Sequence, residues 1–206
     1  QSKINKRFIY LISPNKIKNR SFYIDLEKIL KLKKVSFFQL RLKKETIKNK
    51  TFIGKKIKKI CTKYRVKFLI NDEPLLAKKL KADGCHIGQK DMSFFNSRKI
   101  LMNKKIIGVT CHNSKKLALR AKNAGADYIA FGAFFKSSTK KSANKANLGI
   151  LRWAKKKITM PIVAIGGINS SNYKKILYSG ANYVACSSSV WNNKKLDPVY
   201  AIKEFK

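Results

Sequence analysis

A chain of 206 residues with 44% hydrophobic content is long enough to bury one core and too apolar for disorder, so a single domain over residues 1–206 is expected. No apolar run reaches the roughly 18 residues of a membrane span, and the run Phe8 to Ile12 is too short for a signal h-region and ends in Ser-Pro-Asn, a loop signal, so the cytoplasm is the expected location. The net charge of +38 is spread over nearly every helical segment, as in Lys55-Lys56-Ile57-Lys58-Lys59, which suits solvated helix faces that attract small anions rather than one base-reading face.

Four cysteines, Cys61, Cys85, Cys111 and Cys186, form no Cys-x-x-Cys pair and fit buried free thiols. With only two histidines, His86 and His112, a histidine-rich metal site is set aside.

In chain order, apolar strands are predicted at Phe8–Ser13, Phe37–Leu42, Lys67–Ile70, Cys85–Gly88, Ile106–Cys111, Tyr128–Gly132, Ile162–Gly166 and Tyr183–Ser187. Basic amphipathic helices are predicted between them at Asp25–Lys33, Glu45–Tyr64, Pro74–Leu80, Phe94–Lys104, Ser114–Ala124, Leu148–Lys157 and Ser171–Tyr178, with a last one near Asp197–Glu204. Strand followed by helix, repeated eight times, is the count of a closed parallel barrel, the α/β fold of a single (β/α)8 TIM barrel. The strands read as almost wholly apolar, as expected when helices cover one face and the barrel core the other. A weak repeat recurs where helices turn back into strands: Ala82-Asp83-Gly84, Gly125-Ala126-Asp127 and Gly180-Ala181-Asn182. It falls on the rim away from the strand C-termini, so Asp83 and Asp127 read as structural.

The strand C-termini carry the chemistry in such a fold. At strand 2, alternation places Gln39, Arg41 and Lys43 on one side, an amide and two cations suited to gripping an anion, or else an ordinary basic exit onto the surface. Strand 3 ends in Asn71-Asp72 and strand 4 in Gly88-Gln89-Lys90-Asp91. Asp72 and Asp91, two of only ten acidic residues, suit Mg²⁺ held between protein and a polyphosphate; the alternative is helix capping. Strand 5 offers Thr110 as a donor, then His112, an acid–base candidate or a helix cap. The loop Phe131 to Lys140 brings Ser137, Thr139 and Lys140, and it joins Gly166-Gly167 and Ser187-Ser188-Ser189 in a second anion site.

These motifs, in order, resemble the thiamine-phosphate synthase family. They are Gln39-Leu40-Arg41-Leu42-Lys43, Ile70-Asn71-Asp72, Ala82 to Met92, Gly108-Val109-Thr110, Ser137-Ser138-Thr139-Lys140 and Ala164-Ile165-Gly166-Gly167-Ile168. The resemblance implies the joining of hydroxymethylpyrimidine diphosphate to a thiazole phosphate with release of pyrophosphate. It implies Asp72 and Asp91 as Mg²⁺ ligands, and Gln39, Arg41, Lys43 and Asn71 on the diphosphate. It also implies Thr110 beside the pyrimidine and Lys140 on the leaving pyrophosphate, so that Arg41, Lys43 and Lys140 would assist the chemistry. Ser137, Thr139, Gly167 and Ser188 would contact the thiazole phosphate. The chain departs from the family at Lys136, where Pro is usual, at Ser137, where Thr is usual, and at Thr110, where Ser is frequent; the last two keep a hydroxyl.

Two rivals stand beside this reading: a thiazole tautomerase-like relative using His112, and a basic nucleic-acid-binding protein. The expected partners are small-molecule substrates, with no specific nucleic acid and no membrane; a homo-oligomer is left open.

Overall fold

The structure is a computed structural model that describes residues 7–135 and 145–206. Its strands are β1 (Ile9–Ile12), β2 (Val35–Leu40), β3 (Lys67–Asn71), β4 (Gly84–Ile87), β5 (Ile106–His112), β6 (Tyr128–Gly132), β7 (Ile162–Ile165) and β8 (Tyr183–Cys186). The described helices are α1 (Arg20–Lys31), α2 (Ile47–Lys63), α3 (Pro74–Lys79), α4 (Phe94–Leu101), α5 (Lys115–Ala124), α6 (Leu148–Lys157), α7 (Tyr173–Tyr178), α8 (Ser188–Trp191) and α9 (Pro198–Lys203). Every strand pairs in parallel with its sequence neighbour, and β8 returns to β1, so the sheet closes as a (β/α)8 barrel. Among the described residues no helix is long and apolar enough to cross a membrane.

Alternation along the strands divides the apolar residues into two cores. Outward residues such as Phe38, Phe68, Ile107, Phe131 and Val184 pack under the helices. Inward residues such as Tyr10, Leu69, Tyr128, Ala130 and Val163 fill the lumen. All four cysteines are free and buried. Burial pushes their thiols up, to about 12 in Cys111 and Cys186, so none is poised as a nucleophile.

The repeated Asx residues lace the N-terminal rim. Asp83 Oδ2 accepts from Phe68 N at 2.8 Å, Asp127 Oδ2 from Ile107 N at 2.8 Å, and Asn182 Oδ1 from Ile162 N at 2.8 Å. The same residues donate their own N–H groups to the carbonyls of Phe68, Ile107 and Ile162. Each thus closes the start of the preceding strand, and cations complete two of them: Lys58 lies 3.1 Å from Asp83 and Arg98 2.6 Å from Asp127.

Several boundaries differ from the sequence reading. β2 runs from Val35 to Leu40 rather than from Phe37 to Leu42, because buried Val35 already pairs with Ile9 and the Arg41 N–H is taken by the Ser13 hydroxyl at 2.9 Å. Strand alternation therefore does not carry through Arg41 to Lys43. α1 starts at Arg20, since its buried stripe of Phe22, Leu26, Ile29 and Leu30 begins before Asp25. α2 starts at Ile47 behind a Thr46 cap, and α4 stops at Leu101 because Met102 turns left-handed at φ 59°. The short helix α8 was not foreseen; four residues carry too little periodicity to be read.

Candidate active site

The C-terminal rim is tied together by hydroxyls and amides from successive strand ends. Ser13, just past β1, is buried; its N–H donates to Gln39 O at 2.9 Å, and its carbonyl accepts from Ser187 Oγ at 3.1 Å. Trp191 of α8 donates its indole N–H to Ile12 O at 2.8 Å, and Ser189 Oγ donates to Ile168 O at 2.8 Å. These bonds hold Ser188, at the first turn of α8, beside the exits of β1 and β7.

The β3 and β4 exits bring the two carboxylates together. Asp72 is left-handed at φ 62°, a conformation Asp tolerates better than most residues, and its N–H donates to His86 O at 2.8 Å. Its Oδ2 accepts from Asn71 Nδ2 at 2.7 Å and lies 3.2 Å from Lys43 Nζ. Asp91 Oδ2 accepts from Gly88 N at 2.8 Å, and a Cβ on Gly88 would stand 2.6 Å from that oxygen, so a larger residue there would push the Asp91 carboxylate aside. Loss of solvent raises the Asp91 pKa, and so do the hydrogen bond and charge of Asp72; the Gly88 N–H and Lys43 oppose the rise only in part.

Two hard carboxylates set against each other are only partly balanced by Lys43, and a divalent cation would supply the remaining positive charge. Among the described residues no group of three or more His, Cys, Asp or Glu side chains gathers that could hold a metal by itself. The pair therefore fits an ion such as Mg²⁺, which takes one or two carboxylates and draws its other oxygens from water and a phosphorylated substrate.

Around the pair stand the other predicted residues of β2, β3 and β5. Gln39 is buried within the lumen, Arg41 and Asn71 are half-buried, and Lys43 is exposed. The Arg41 side chain makes no ion pair among the described residues, and its charge reaches His86 across the mouth of the barrel. Thr110 is half-buried on β5, where Gln89 Nε2 donates to its carbonyl at 2.5 Å. His112 is exposed, left-handed at φ 50°, and makes no side-chain hydrogen bond among the described residues; the cap of α5 is Ser114 Oγ, which accepts from Leu117 N at 3.2 Å. Gly166 and Gly167 turn the chain at φ 104° and 62° past β7, and a Cβ on Gly166 would lie 2.4 Å from that of Ala133. Ser137, Thr139 and Lys140 lie outside the described residues.

Sequence reasoning missed Tyr10, His86 and Tyr128, which reach the same floor from inside the barrel. Burial pushes the His86 pKa down to about 4, with Asp91 raising it and Arg41 lowering it, so the ring is neutral at physiological pH. The available signal was the period of two: Tyr10, Gln39, His86, Thr110 and Tyr128 all occupy inward positions.

A closed parallel barrel with acidic and basic side chains gathered on its C-terminal rim belongs to the (β/α)8 barrel enzymes, which place their active sites at that end. The sequence model of the thiamine monophosphate synthase family matches residues 9–190, and the chain belongs to that family. It is 63% identical to the thiamine-phosphate synthase of Pelagibacter ubique (strain HTCC1062) over 206 residues, covering 100% of this chain and 99% of that one. It is 40% identical to the corresponding protein of Erythrobacter litoralis (strain HTCC2594), covering 95% of this chain and 93% of that one. Among solved structures, the thiamine phosphate pyrophosphorylase from Pyrococcus furiosus superposes with a TM-score of 0.85 at 28% identity, over 98% of this chain and 94% of that one.

Proposed function

We propose that the chain is a thiamine-phosphate synthase, a transferase that joins hydroxymethylpyrimidine diphosphate to a thiazole phosphate and releases pyrophosphate. The observation that carries this reading is the meeting of Asp72 and Asp91 beside Lys43 and Asn71 at the mouth of a barrel of this family. A tautomerase would have no pyrophosphate to bind and no use for such a pair.

Asp72 and Asp91 would hold Mg²⁺, which would supply charge neutralisation for the diphosphate. Gln39, Arg41, Lys43 and Asn71 grip the diphosphate: Arg41 as a two-pronged donor and Lys43 as a point charge. Thr110 lies against the pyrimidine. Lys140 contacts the departing pyrophosphate, while Ser137, Thr139, Gly167 and Ser188 contact the thiazole phosphate.

As the pyrophosphate leaves, negative charge grows on its oxygens and Arg41, Lys43 and Lys140 stabilise it. The pyrimidine methylene, now electron-poor, is captured by the thiazole nitrogen held against it. No protein nucleophile is needed; positioning and electrostatics account for the rate. The test is direct: purified protein given both substrates and Mg²⁺ should form thiamine phosphate and pyrophosphate in equal amounts. Failure to form either would overturn the proposal.

A further inference from the structure

Five inward side chains from five strands form one unbroken hydrogen-bonded chain through the lumen, beneath the site. Gln39 Nε2 lies 2.8 Å from Tyr10 Oη, Tyr10 Oη 2.7 Å from Tyr128 Oη, Tyr128 Oη 2.8 Å from His86 Nδ1, and His86 Nε2 2.8 Å from Thr110 Oγ1. Packing holds the members in line. The Tyr10 and Tyr128 rings meet edge to face at 5.8 Å, and His86 stacks on Tyr128 at 5.6 Å. Gly108 makes the room, since a Cβ there would lie 1.9 Å from Tyr128 Cζ.

An amide nitrogen only donates, so Tyr10 Oη accepts from Gln39 and has a single proton to give. Giving it to Tyr128 satisfies both phenols; the opposite choice strands a buried O–H, which is costly. Tyr128 then donates to His86 Nδ1, which leaves the imidazole proton on Nε2, and that N–H donates to Thr110 Oγ1. We propose that this chain runs in one direction, from Gln39 to Thr110, fixes His86 as the Nε2–H tautomer, and thereby sets the polarity of the ring-binding floor. No hydrogen bond to Gln39 Oε1 is made among the described residues, so it presents an acceptor while the second Nε2 hydrogen is left for the diphosphate; the Thr110 hydroxyl accepts from His86 through one lone pair and keeps its proton to present. The floor is thus matched to a heteroaromatic ring that offers one N–H donor and one nitrogen acceptor. Tyr10, Tyr128 and His86 are positioning residues that act through Gln39 and Thr110. The assignment of the ring as the pyrimidine rests on the function proposed above; the direction of the chain does not.

With only two histidines in the sequence, ¹⁵N-histidine two-bond correlation spectra of the ligand-free protein read the tautomer, and a His112→Gln variant assigns the pair. The expected spectrum shows neutral His86 with its proton on Nε2. A Tyr128→Phe variant, which keeps the ring, should move the Nδ1 resonance toward that of an unbonded acceptor and raise KM for the pyrimidine diphosphate about tenfold, with a much smaller change in kcat. An Nδ1–H tautomer in the wild-type protein, or an unmoved Nδ1 resonance in the variant, would overturn the proposal. If Tyr128→Phe does not fold, the wild-type tautomer decides alone. A wild-type protein that makes no thiamine phosphate would sink the proposed reaction and leave the tautomer result standing.

Discussion

Aspartates stand on both rims of the barrel and do opposite things. On the N-terminal rim, Asp83 and Asp127 each accept a backbone N–H and each meet a cation. Their charge is compensated, and they close the barrel where strands begin. On the C-terminal rim, Asp72 and Asp91 face each other, and loss of solvent together with the Asp72 contact raises the pKa of Asp91. One rim pairs each carboxylate with its own cation and backbone N–H; the other sets two carboxylates side by side with Lys43 as their cation, a pairing that an added divalent cation would stabilise further.

The largest expected effect falls on the upper rim. Asp91→Ala should lower the rate of thiamine phosphate synthesis by about a hundredfold or more while leaving the circular dichroism spectrum unchanged. Asp127→Ala should do the reverse: it leaves the Ile107 N–H and Arg98 without their partner, costs about 1–3 kcal/mol, and lowers Tm by several degrees, with kcat changed less than about twofold. A Tm loss in the first variant, or a rate loss in the second without one, would break the division between rims.

A smaller effect sharpens it. The raised pKa of Asp91 means that its ionised form is disfavoured in the folded state, so the penalty is present above that pKa and disappears as pH falls toward the ordinary carboxylate range. Asp91→Asn in metal-free protein should therefore raise Tm slightly at pH 7, and the gain should fade on acidification. Because Asp91 is exposed, the gain is modest. The smallest effect belongs to His112→Ala, expected to change synthesis by less than about threefold in the same assay, since the exposed ring makes no side-chain hydrogen bond among the described residues.

The barrel was legible because its strands are apolar runs punctuated by Gly, Asp and Asn turns, and the carboxylate pair because acids are scarce in this chain and two fall at neighbouring strand ends. The lumen chain was not. Tyr10 and Tyr128 are large, β-favouring residues and pass as core unless each strand is phased, and phase depends on register with neighbours distant in sequence. β2 shows the same limit: its end is decided by the Ser13 hydroxyl, from the loop past β1, taking the Arg41 N–H. Lys43 was read as an anion clamp, and its ion pair with Asp72 comes from a left-handed turn that sequence spacing does not announce.

The central claim, that the upper carboxylates form a cation site serving the reaction, is tested most directly by the Mg²⁺ dependence of thiamine phosphate synthesis in the wild-type protein and in Asp91→Asn. The account predicts a half-saturating Mg²⁺ concentration at least about tenfold higher in the variant, with no loss of Tm. Identical Mg²⁺ curves for the two proteins, or full synthesis by either in excess chelator, would contradict it.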